Sequence, residues 1–224
     1  MEQRRDSATA YIILADGFET IEALTPLDVL RRCGVEVTTI SLNKTRAVRS
    51  SHGVTVEADA TMEDFIHNCN CCASGTGTGN AGTSSTAGSS TTASSANTTA
   101  GSCLRQALIL PGGYPGYKNL CESAEVGALI TQFHKEGKLL CAICGAPTAL
   151  KANQICRGAA ITCHTSVKEE LSDYYSILSS AVVKYMNIIT GMGAGRSLEF
   201  AFAIAESLTS KEKVEEIKAK MEII

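Results

Sequence analysis

Residues 138–150 read Lys138-Leu139-Leu140-Cys141-Ala142-Ile143-Cys144-Gly145-Ala146-Pro147-Thr148-Ala149-Leu150. An apolar, strand-like run passes here directly into a helical pattern, with Cys144 at the join. A strand-to-helix turn this sharp is a nucleophile elbow. It crowds the backbone of its central residue, so the positions two away on each side must be small, and Ala142 and Ala146 are. The helix that follows is expected to direct its first amides at the sulfur and to favour thiolate over thiol.

The same strand-then-helix alternation extends outward from the turn. Ala10 to Leu14, Val35 to Ser41, Ala107 to Leu110, Lys138 to Cys141, Ala159 to Cys163 and Asn187 to Thr190 read as strands, several apolar on both faces. That is the pattern of a parallel sheet covered on both sides. Ser166 to Glu169 and Thr209 to Glu212 fit capping boxes, and Leu198, Ala201, Phe202, Ala205 and Leu208 trace an apolar helical face. Repeated βαβ order predicts an α/β fold with a doubly wound, mostly parallel sheet sandwiched by helices. Ligands of such sheets bind beyond the carboxyl ends of the strands, so residues just after a strand are the candidates for chemistry.

The chain has 224 residues, which suits one domain over 1–224. Residues 73–102 use only Ala, Gly, Ser, Thr and Asn, so 67–104 reads as a low-complexity surface insertion that is disordered. His67, Cys69, Cys71, Cys72 and Cys103 flank it, but their spacing does not match paired zinc knuckles, and no metal is expected. Lys and Arg number 20 against 23 Asp and Glu, a formal charge of −3, without a basic run interleaved with aromatics. Nucleic acid and anionic membranes are therefore not expected as partners. The apolar stretch Ala10 to Ala15 has a strand's length, and no secretory cleavage pattern follows it. The ten cysteines show no pairing pattern and read as reduced thiols of a cytoplasmic protein.

Three further segments follow strands. In Leu110-Pro111-Gly112-Gly113-Tyr114, paired glycines allow backbone N–H groups to approach a reacting centre, and with the Gly145 amide they could form an oxyanion hole. His164 directly follows a predicted strand and shares the rim with Cys144 if that strand is parallel to the rest. After the first strand, Glu19 and Glu22 compete as the acid, with Pro26 limiting where the helix begins, and spacing does not choose between them. A carboxyl facing sulfur in a poorly hydrated pocket would have its pKa raised and could donate a proton near neutrality. Gly191-Met192-Gly193-Ala194-Gly195 lacks both dinucleotide spacing and the Lys-Ser/Thr of a Walker loop, so close helix packing accounts for its glycines and no nucleotide cofactor is expected.

Taken in order, Ile12 to Glu22, Leu110 to Gly113, Ala142 to Leu150, Thr162 to His164 and Ser197 to Ala201 resemble the ThiJ/PfpI superfamily and its parkinsonism-associated protein deglycase branch. The resemblance covers nearly the whole chain outside the insertion. It implies a flavodoxin-like, class I glutamine amidotransferase-like fold and a homodimer. It implies Cys144 as nucleophile, Glu22 rather than Glu19 as its acid, Gly113 and Gly145 as backbone donors and His164 as the pocket histidine. Gly145 stands where peptidase-like members carry a histidine, which argues against proteolysis. His52 replaces a basic pocket residue common in the branch. The implied activity is a cofactor-independent glyoxalase or deglycase acting on methylglyoxal, glyoxal or early glycation adducts, protective against carbonyl and oxidative stress. The alternative is a redox-sensing chaperone that uses oxidation of the same cysteine. A thiamine-pathway role follows from the family's naming only.

Overall fold

A computed structural model describes residues 8–68 and 106–223, and the segment read as an insertion lies outside these apart from residues 67 and 68, which end a helix. The elements run β1 (Thr9–Leu14), α1 (Thr20–Arg32), β2 (Glu36–Ser41), β3 (Ala47–Arg49), β4 (Thr55–Glu57), β5 (Ala60–Thr61) and α2 (Met62–Asn68). They continue with β6 (Gln106–Leu110), α3 (Gly116–Glu122), α4 (Ala124–Lys135), β7 (Leu139–Ile143), α5 (Pro147–Ala152) and β8 (Ala160–Ile161). The chain then forms α6 (Lys168–Ser172), β9 (Ser176–Ile177), β10 (Val182–Tyr185), β11 (Ile188–Gly191), α7 (Ser197–Leu208) and α8 (Lys211–Lys220).

Seven strands form one sheet in the order β10-β11-β7-β6-β1-β2-β5, parallel except for β10 at one edge. Period-2 alternation explains why both faces are buried. Ile12 and Leu14 of β1, Ile109 of β6 and Ile143 of β7 join one core with Phe200, Ile204 and Ala205 of α7. Ile13, Leu108, Leu110, Leu140 and Ala142 face the other way, into a second core with Leu129, Ile130 and Phe133 of α4 and Leu150 of α5. The chain winds outward from β1 to β2 and β5, then returns to lay β6, β7 and β11 on the other side of β1. The order thus reverses between β1 and β6, which opens a crevice beyond their carboxyl ends.

Several expectations are corrected in detail. Ala159 to Cys163 is not a strand of the main sheet; only Ala160–Ile161 is extended, paired with β9 in a separate two-stranded ribbon. Pro26 does not limit the start of the first helix but lies inside α1, which begins at Thr20. Near Ser166 there is no capping box: His164 caps a short 3-10 turn by accepting from the N–H of Ser166, and α6 starts at Lys168. The second is not a box either: Ser210, not Thr209, caps α8 by accepting from the N–H of Lys213. On α7, Leu198 is exposed, whereas Ala201, Phe202, Ala205 and Leu208 are buried as read, together with Phe200 and Ile204. The antiparallel β10 and the β3–β4 hairpin, short and half-exposed, have no counterpart in the sequence reading.

Phe200 ties the core to the crevice, because it is fully buried and packs where a side chain on Gly191 would stand. Close packing is what that glycine serves. Phe200→Ala is expected to lower the unfolding free energy by about 3–5 kcal/mol through lost burial plus a cavity. Urea denaturation of the two proteins measures this directly, and a loss under about 1 kcal/mol would mean the site collapses around the void.

Candidate active site

Cys144 follows β7 without an intervening residue and has a left-handed backbone, φ 64°. Such a conformation is unfavourable for a residue with a Cβ and persists only when neighbours hold it. Two backbone hydrogen bonds do so. The Cys144 N–H donates to the carbonyl of Gly191 at 2.9 Å, and the Cys144 carbonyl accepts from the N–H of His164 at 2.9 Å. Ala142 and Ala146 are fully buried on either side, as the turn requires. Gly145 has no room for a side chain, since a Cβ would come 2.6 Å from the ring of Tyr117.

The sulfur, partly exposed, meets the side chain of Glu22 and the backbone N–H groups of Gly113 and Gly145. Glu22 is the third residue of α1 and has no exposed surface. Its Oε2 accepts from the Gly112 N–H at 2.8 Å, and its Oε1 is buried without a nitrogen or oxygen partner. The sequence showed Gly112 only as one of a glycine pair, yet it is the point at which both reacting side chains meet the backbone. A Cβ there would stand 2.6 Å from Glu22 Oε2 and 2.7 Å from the Cys144 Cβ. Gly113 has φ +90°, and a side chain on it would strike the backbone N of Glu19 at 2.3 Å.

Burial decides the protonation of the pair. A helix start favours an ionised carboxylate, but removal from water outweighs that and raises Glu22 to about 7, with the nearby Glu19 charge adding to the rise. Hydrogen bonds from Cys144 and Gly112 act in the opposite direction. Burial, followed by the charge and hydrogen bond of Glu22, pushes the Cys144 thiol up to about 12, against the pull of the Gly113 and Gly145 amides. The expectation of a thiol lowered by the helix behind it is corrected accordingly. That helix, α5, has only six residues. Two carboxyl and thiol groups this close share one negative charge: thiolate is favoured when Glu22 holds the proton, and thiol when Glu22 is ionised.

The competing acid, Glu19, lies just before α1 and points elsewhere. Its Oε2 accepts from Ser51 Oγ at 3.2 Å and lies 3.2 Å from His52 Nδ1. His164 reaches the site through its main chain, not through a parallel strand. Its ring is exposed, with Nδ1 2.8 Å from Ser166 Oγ. Among the described residues no cluster of three or more His, Cys, Asp or Glu could hold a metal ion, and no helix is long and apolar enough to cross a membrane. The Cys69, Cys71, Cys72 and Cys103 group lies outside the described residues.

Residues 8–207 match the DJ-1/PfpI family. The chain is 31% identical over 214 residues to the Parkinson disease protein 7 homolog of Danio rerio, with 95% of each protein covered. Over 107 residues it is 39% identical to the glutathione-independent glyoxalase DJR-1.2 of Caenorhabditis elegans, which covers 47% of this chain and 56% of that one. The crystal structure of Drosophila melanogaster DJ-1beta superposes with a TM-score of 0.78 at 32% identity, covering 97% of this chain and 99% of that chain.

Glu22 makes stability depend on pH. Its folded pKa lies above the ordinary carboxyl value, so the stability it contributes is complete below about 4.5 and is lost as pH rises through about 7. Glu22→Gln keeps an acceptor for Gly112 and removes the titration. Urea unfolding of both proteins should give curves whose separation grows in favour of the variant between pH 4.5 and 8, reaching about 3 kcal/mol. A separation independent of pH would show that Glu22 titrates normally. Gly112→Ala, by contrast, forces the carboxyl and sulfur apart, and should both lower the melting temperature and alter the rate at which Cys144 is alkylated.

Proposed function

The chain belongs to the DJ-1/PfpI family, and on that premise we propose that it is a cysteine-dependent, cofactor-independent glyoxalase or deglycase acting on small dicarbonyls or early glycation adducts. The observation that carries the reading is the contact of a partly exposed sulfur with a fully buried carboxyl whose pKa lies near neutrality. A carboxyl poised there can give up and take back a proton within one turnover. The glyoxalase name carried by the nematode relative supports the same chemistry.

With methylglyoxal, the Cys144 thiolate adds to the aldehyde carbon, and the alkoxide formed takes the proton held by Glu22, giving a hemithioacetal. The Gly113 and Gly145 amides face the sulfur and are placed in the role of steadying the developing oxyanion. The Glu22 carboxylate then removes the hydrogen from the former aldehyde carbon as a proton and passes it to the neighbouring carbonyl oxygen, which yields an enediol. Glu22 then takes the hydroxyl proton from the sulfur-bearing carbon and returns a proton to the second carbon, which gives the thioester of lactate. Water cleaves that thioester to lactate and restores the thiol, with no net redox change and no added cofactor. No proton transfer is assigned to the His164 ring, whose Nδ1 faces Ser166.

A redox-sensing reading shares this geometry. Amides that face the sulfur can also donate to a sulfinate's oxygens, as can a protonated Glu22. The two readings separate on turnover. Wild-type protein incubated with methylglyoxal is expected to release lactate, Cys144→Ala to release none, and Glu22→Gln to fall by about 10²–10⁴-fold. Undiminished lactate in either variant would exclude the mechanism. Absence of lactate from wild-type protein, together with selective gain of two oxygens at Cys144 under mild peroxide, would favour the sensor.

A further inference from the structure

Glu19 and His52 take no part in the reaction as written, yet they stand at the mouth of the site in a defined arrangement. His52 belongs to the turn between β3 and β4, is 73% exposed, and brings Nδ1 to 3.2 Å from Glu19 Oε2. Ser51 closes a triangle, with its Oγ 3.0 Å from His52 Nδ1 and 3.2 Å from Glu19 Oε2. The Glu19 carboxyl is itself only 16% exposed. The backbone holds this cluster to the acid of the site in two steps: the Glu19 N–H donates to the Gly112 carbonyl at 2.9 Å, and the Gly112 N–H donates to Glu22 Oε2 at 2.8 Å. The turn is docked as well, since the Ser51 N–H donates to the Phe18 carbonyl at 2.9 Å.

We propose that Glu19 and His52 are positioning residues that set the charge felt by Glu22, so that protonation of His52 tunes how readily the Glu22–Cys144 pair gains its proton. The proposal deepens the reading of Cys144 and Glu22 as the reacting pair and rests on it. Imidazole is the side chain whose charge ordinarily changes between pH 5 and 8. When His52 is neutral, the Glu19 charge acts on Glu22 uncompensated and supports the protonated acid. When His52 is protonated, it pairs with Glu19 and weakens that support. The ionisable groups on the surrounding elements are few. Cys144 faces Glu22 from the elbow, Arg49 of β3 approaches the turn at Gly53, and Asp16 after β1 accepts from the Arg49 N–H. Of these groups, the His52 imidazole is the one that touches Glu19.

The pH dependence of Cys144 alkylation by iodoacetamide, followed by mass spectrometry of its peptide between pH 5 and 9, tests this without turnover. The acid limb of that profile reports the first proton lost from the Cys144–Glu22 pair. His52→Gln leaves Glu19 uncompensated in acid, and should move the limb to higher pH by about half a unit, the size of one partly screened charge nearby. Glu19→Gln should move it to lower pH. In the Glu19→Gln background, His52→Gln should shift it far less, and His52→Arg should place it below wild type by fixing the cation. A profile unmoved in His52→Gln, or moved equally with and without Glu19, would overturn the proposal. Predicted shifts in a protein that forms no lactate would overturn the glyoxalase reading alone.

Discussion

One residue in a left-handed conformation organises the chemistry of this molecule. Cys144 takes a backbone geometry that costs a residue with a Cβ about 1–3 kcal/mol, and three separate parts of the chain combine to hold it. Its N–H is held by β11, its carbonyl by the segment at His164, and its flanks are residues too small to resist the turn. Without that constraint the chain would leave β7 in an ordinary loop, and the sulfur would not stand against the carboxyl of α1. The crevice itself comes from topology, because the winding order reverses between β1 and β6. Glu22 follows one of these strands and the Gly112–Gly113 loop the other, so the acid and the backbone donors are delivered by the reversal, and the elbow after β7 brings the sulfur to them.

Electrostatics in the crevice is a contest that burial wins. Backbone amides pull the thiol down, but loss of water and a carboxyl neighbour push it up further, and the same loss of water raises the carboxyl into the neutral range. The result is a pair that, once pH rises above about 7, keeps one proton between sulfur and oxygen. That differs from a thiolate standing alone at the start of a long helix. The distinction matters for mechanism, since a shared proton is already located where a hemithioacetal alkoxide would need one.

Much of this was legible before any coordinates. The elbow is readable because its demand for small residues is local, and Ala142, Gly145 and Ala146 meet it within five positions. The doubly wound sheet is readable because β1, β6 and β7 are apolar on both faces. What was not legible depends on contacts distant in sequence. Glu19 and Glu22 are three apart at the start of one helix, and only packing against Gly112, ninety residues away, turns one inward and leaves the other to Ser51 and His52. Gly112 itself looks like ordinary turn punctuation until the space around its Cβ position is known. Ala159 to Cys163 has a strand's composition, but its main chain pairs with β9 and donates from Thr162 to the Thr190 hydroxyl, and no periodicity reports that.

The glycines of the Gly112–Gly113 loop therefore serve two ends that a single substitution cannot separate. Gly113 must be without a side chain because the backbone of Glu19 lies against it, and Gly112 because the Glu22 carboxyl and the Cys144 Cβ do. The same residue, Gly112, donates to Glu22 through its N–H and accepts from the Glu19 N–H through its carbonyl, so the two acids are tied to each other through main chain. Main-chain struts change length little as groups titrate. A change of charge at Glu19 or its histidine partner consequently reaches Glu22 as a change of field at nearly constant geometry, which is the condition for tuning a proton without dismantling the site that uses it.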